Sequence, residues 1–131
     1  MGFYEEKDYI VRLIREMARV LFSLIGGKQS KSVELENENK YEVSGKALED
    51  FEIMVDQGLI NEAENMLLES IDHARNEDIC AAILFYQYVA EKDVDFLTRH
   101  NYSKEEALDG LKMLAENAGY GEMGEVFPEL Q

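Results

Sequence analysis

The closest approach to a reactive constellation in this chain is Asp93-Val94-Asp95, two carboxylates one residue apart. Such a pair would be half of a metal or sugar-nucleotide site. Asp93, however, stands where a helix begins, and neither a histidine nor a third carboxylate sits at a ligand spacing from it, so a capping role is the simpler reading. The two histidines, His73 and His100, lie twenty-seven residues apart, each near a helix end, where an imidazolium gains from the C-terminal dipole. Cys80 has no basic neighbour to stabilise a thiolate and reads as a small core residue. Gly119, Gly121 and Gly124 have the glycine count of a phosphate loop but follow a helix in an acidic tail, the wrong context for phosphate. These residue types point away from catalysis. An enzyme or small-ligand protein remains the rival class, and it would need Phe85, Tyr86, Tyr88, Asp93 and His100 to converge on one pocket.

The other chemistry on offer is that of contact. Arg12, Arg15 and Arg19 fall within about 60° of one another at 100° per residue. Ile10, Leu13, Ile14, Met17, Val20, Leu21, Leu24 and Ile25 cover an arc of about 140°, which Ala18, Val11 and Phe22 widen to about 200°. A helix lying on one surface needs only about half of that. Val11, Arg12, Arg15, Ala18, Arg19 and Phe22 therefore form the candidate interaction surface. Three readings compete for it: a groove of the chain's own body, a partner or second copy, and an anionic membrane surface.

The elements that position these residues are helical. One proline, Pro128, and no run of alternating β-branched residues predict an all-α chain of five to six helices. The N-terminal segment, residues 1–27, carries an amphipathic helix that runs from about Asp8 to Ile25 and is ended by Gly26-Gly27. Residues 28–45 are polar and acidic and predict a linker. The body, 46–119, opens with helices over 46–57 and from Asn61, joined by Gly58, with Asn61 as N-cap and Glu64 answering it. Residues 76–90 are apolar nearly all round, which predicts a central helix. A short helix from Asp93 to Arg99 follows. Ser103 and Glu106 then form a capping box for a last helix that ends near Gly119. Residues 120–131 make a C-terminal tail.

Charge divides this plan unevenly. Residues 1–31 carry six lysines and arginines against four acids, a net +2; residues 32–131 carry seven against twenty-four, a net −17. The acidic body repels phosphate, so nucleic acid is excluded as a partner, and it opposes close approach to an anionic membrane. At 131 residues with 46% hydrophobic content, the chain has enough apolar side chain for a core without disulfides or metal. A single cysteine and an acidic start, Met1-Gly2-Phe3-Tyr4-Glu5-Glu6, predict a cytoplasmic protein without cofactor.

Two resemblances add to this. Leu48 to Ile71, with Gly58 closing one helix and Ala63 in the next, resembles a tetratricopeptide-type helical hairpin. The whole chain resembles a family of small, uncharacterised, all-helical bacterial proteins found mostly in Firmicutes. That likeness rests on Phe3, Asp8-Tyr9-Ile10, Arg12 and Ile14, on Gly58 and Glu62-Ala63-Glu64, and on Phe85-Tyr86, Ser103, Glu106 and Gly110-Leu111. It implies a helical fold and a bacterial cytoplasmic origin, and supplies no catalytic residue. The expected role is a non-enzymatic interaction or self-association module.

Overall fold

The computed structural model describes the backbone of residues 2–28 and, with side chains, residues 9–25 and 41–120. Residues 29–40 of the expected linker, and residues 121–131 of the expected tail with Gly121 and Gly124, lie outside the described residues. Six helices carry the fold: α1 (Gly2–Lys28), α2 (Leu48–Asp56), α3 (Ile60–Ser70), α4 (Asn76–Ala90), α5 (Val94–Arg99) and α6 (Lys104–Asn117). Two two-residue strands, β1 (Glu42–Val43) and β2 (Lys46–Ala47), pair antiparallel ahead of α2. The fold is all-α.

The central helix is α4, because its sequence leaves it no polar side to present to water. Ile79, Cys80, Ala81, Ala82, Ile83, Leu84, Phe85, Tyr86, Val89 and Ala90 are all buried. It packs against α1, α2, α6 and the hairpin, while α1 also lies on α6 and α2 pairs with α3. Phe51 of α2 meets Phe85 edge-on, with ring centroids 6.3 Å apart, and Phe85 meets Tyr86 in the same way at 5.4 Å. Edge-to-face packing suits the aromatic quadrupole and fixes ring orientation within the core.

Three helices end alike. After α2, the Gly58 amide donates to the Val55 carbonyl and the Leu59 amide to Met54, the paired bonds of a Schellman motif. Asn101 and Gly119 hold the same place after α5 and α6, where Tyr102 donates to Leu97 and Tyr120 to Ala115. All three positions have positive φ, which Gly and Asn tolerate best. At Gly58 there is a further demand. A Cβ there would lie 2.3 Å from Cε1 of His100, so the close seating of α5 on this turn depends on a missing side chain.

Three boundaries and one cap differ from the sequence reading. The first helix starts at Gly2 and runs through Gly26-Gly27, since glycine permits a stop without imposing one. Tyr41 to Ala47 is not linker or helix but a hairpin, turning at Ser44 and Gly45 with φ of 49° and 90°. Its Val43 is fully buried against the body. Asn61 does not cap α3: Leu59 holds the N-cap place without a side-chain bond, and the Asn61 amide donates instead to the Asn101 carbonyl at 3.2 Å. Burial of Ile60 draws it into the first turn, and Asn61 is left free to tie α3 to the end of α5. Asp93 sits at the N-cap of α5 but its side chain makes no capping bond. The Ser103 cap stands as read: its Oγ accepts from the Glu106 amide at 3.1 Å.

The hairpin is held by a carboxylate no periodicity signals. Asp78, in the first turn of α4, is fully buried. Its Oδ1 accepts from the Ser44 amide at 3.1 Å and from Nε of Arg75 at 3.3 Å; its Oδ2 accepts from the Ser44 hydroxyl and the Asp72 amide, both at 2.8 Å. Burial alone would raise its pKa. The bonds from Asp72, Ser44 and Arg75 outweigh that and hold the carboxyl below its ordinary value.

Candidate interaction surface

α1 is amphipathic by residue spacing, and the body covers the middle of its apolar arc. Ile14, Met17, Leu21 and Ile25 are fully buried, and Leu13 and Ala18 nearly so. Ala18, one of the six surface candidates, is thus enclosed within the chain, at 2% exposure. The margins are not closed. Val11 and Phe22 on one margin and Val20 on the other are half-buried, and Tyr9 and Leu24 are exposed. Ile10 lies on the centre line of the buried face yet is itself only half-buried.

The arginines stand on the outer side. All three are exposed, but they are not equivalent. Arg15 makes a two-pronged bridge to Glu91, just past the end of α4: Nε donates to Oε2 at 2.8 Å and Nη2 to Oε1 at 3.0 Å. Beside that carboxylate its pKa rises further. Fork-to-carboxylate geometry fixes orientation better than a single contact, though an exposed pair screened by solvent adds little stability. Arg19 pairs with Glu16 one turn back on the same helix. Arg12 pairs with no acid among the described residues.

The rival pocket does not assemble. Tyr86 turns its hydroxyl to Oε2 of Glu64 at 2.7 Å, whereas Tyr88 donates to Oδ1 of Asp56 at 2.7 Å, on another side of α4. His100 lies on Phe96, with centroids 4.7 Å apart, and against Gly58. Phe85 is fully buried among other rings, and Asp93 is exposed. Burial pushes the Cys80 thiol up to about 12, with Glu77 adding to it, so at neutral pH it is a thiol inside the core. No group of three or more His, Cys, Asp or Glu among the described residues is placed to hold a metal ion.

A profile of protein families matches residues 4–119, from the first turns of α1 to the end of α6. The chain belongs to DUF6483, a family of unknown function. No curated protein and no solved structure matches the chain. The span of the match makes α1 part of the DUF6483 unit and not an appendage to it, in agreement with its burial on α4 and α6.

Sequence reasoning missed one polar cluster in that unit. The Glu64 carboxyl of α3 is half-buried against Tyr86, and the buried Tyr102 hydroxyl lies beside it outside hydrogen-bonding geometry. Burial raises the Glu64 pKa, the hydrogen bond from Tyr86 offsets part of this, and the charge of Glu106 adds to it. Gly110 was the available signal: a glycine in mid-helix needs a close neighbour to explain it. Among the described residues no helix is long and apolar enough to cross a membrane.

Proposed function

We propose that this chain is a non-enzymatic protein–protein interaction module whose contact surface is the outer side of α1. One observation carries the reading. The body encloses the centre of a wide apolar arc but leaves Val11 and Phe22 half-exposed, beside exposed Arg12 and Arg19. Fully burying such side chains is worth about 1.5–3 kcal/mol each, so a partner that completes the cover gains from it. Arg15 is a poorer contact residue, being engaged by Glu91, and Ala18 serves from within by letting α1 approach its neighbours. With a net charge of −15 the chain is unsuited to nucleic acid, and its one buried cysteine suits a reducing cytoplasm.

The test uses surface substitutions in the full chain. Phe22→Ser and Arg12→Glu are compared with the parent by sedimentation velocity and affinity capture, after thermal melts show both folded. The reading expects a bound species, the chain itself or another protein, that the parent holds and both variants release. A monomeric parent whose captured proteins are unchanged in the variants removes it.

A further inference from the structure

The outer side of α6 is the charge complement of the outer side of α1. Core positions of α6 are Lys104, Ala107, Leu111, Leu114 and Ala115. Opposite them stands Met113, which at 61% is the most exposed large apolar side chain among the described residues. At 100° per residue, Glu106, Asp109 and Glu116 all fall within about 60° of Met113, and all three are exposed. α6 therefore shows solvent an acidic stripe with a methionine in its middle. α1 shows Arg12, Arg15 and Arg19, with the exposed Glu16 among them and Val11 and Phe22 at the margin.

The spacing also agrees. Arg12 and Arg19 are seven residues apart, and so are Asp109 and Glu116. Two turns of helix separate each pair by about 10.5 Å, so both arginines meet both acids in one register. Met113, flexible and polarisable, then lies between the two ion pairs, opposite the stretch of α1 at Arg15 and Glu16. Arg12 brings no described intrachain partner to this contact. Arg19 brings only the exposed pair with Glu16, which is weak enough to exchange.

We propose that α1 of one copy docks along α6 of a second copy, Arg12 and Arg19 facing Asp109 and Glu116 across Met113; this rests on α1 being the contact surface. A second copy is the occupant because one chain carries both complementary stripes at one repeat. The two helices pack against each other within the chain, so one two-fold axis can use the contact twice and close the assembly as a dimer.

Charge reversal tests this, read by light scattering and sedimentation velocity across a concentration series. The parent mass rises with concentration from 15.1 kDa toward twice that value. Arg12→Glu with Arg19→Glu stays monomeric, as does Asp109→Lys with Glu116→Lys, and an equimolar mixture of the two variants regains the dimer. A parent that stays monomeric overturns the proposal, as does a reversed variant that dimerises like the parent, or a mixture that does not reassociate. If the parent is monomeric while the α1 variant alone loses a captured protein, self-docking falls and the α1 surface stands. If neither self-association nor such a loss is seen, both fall.

Discussion

Gly110 leaves the space that the Tyr86 ring fills. A Cβ at position 110 would lie 2.4 Å from Cε1 of Tyr86 and 2.8 Å from its hydroxyl oxygen. That ring cannot retreat without giving up the 2.7 Å bond to Glu64. Gly110→Ala should thus destabilise the chain, although alanine gains about 1 kcal/mol of helix propensity. Overpacking at a filled site costs about 1–3 kcal/mol, and the lost hydrogen bond adds to it. Urea denaturation measures the balance, and a variant more stable than the parent would show that the ring yields freely.

Asp78→Asn should be among the most damaging single substitutions in the chain. An amide carries two donors into a site where four donors already converge on two oxygens. The expected loss is about 2–4 kcal/mol at neutral pH, measured by denaturation, with the hairpin released from α4. The native carboxyl also gives a pH signature. Its folded pKa lies below the unfolded one, so the stability it lends is complete above about pH 4. That stability is lost as pH falls through the lower folded value, and Asp78→Asn should flatten this limb of the stability profile.

Glu64 has the opposite sign. Its folded pKa is raised by burial, so the unfolded chain releases this proton first as pH rises. Stability then falls with rising pH until the folded carboxyl ionises as well. Glu64→Gln keeps an acceptor for Tyr86 without the charge. Its melting temperature should exceed that of the parent at neutral pH, and the two should converge toward acid. A gap independent of pH would mean that the carboxyl carries no charge penalty in this site.

A chain beginning at residue 32 should not fold. Ile14, Met17, Leu21 and Ile25 of α1 are fully enclosed on α4 and α6. Their burial, at about 1.5–3 kcal/mol each, is comparable to the whole stability of a typical domain, about 5–15 kcal/mol. Circular dichroism of residues 32–131 should show lost helix and no cooperative melt. A cooperative melt would make α1 dispensable to the core.

The legibility of this fold follows the range of the interactions. α4 and the start of α6 were readable to the residue because their signals are local: an apolar run without Gly or Pro, and Ser103 three residues before Glu106. The width of the apolar arc on α1 was also readable, but not which part would be covered, since that depends on α4 and α6 from distant sequence. The hairpin was hidden for the same reason. Ser44 and Asp78 are thirty-four residues apart, and neither residue type announces the other. Asn61 shows a local signal overruled: a good capping residue next to Ile60, whose need for burial moved the helix start past it. Of the surface candidates, composition identified the arginines, and only geometry separated Arg15, tied to Glu91, from Arg12.

Lys104 ties the two ends of the α5 excursion together. Its ammonium is buried and donates to the main-chain carbonyls of Ala90 at 2.6 Å and Lys92 at 2.5 Å, where α4 gives way to the turn. These acceptors belong to the backbone, so the clasp reads chain position and not side-chain identity at 90 and 92. Substitution at Lys104 should therefore unfasten α6 from the end of α4, whereas no change of side chain at the receiving end can take the two acceptors away.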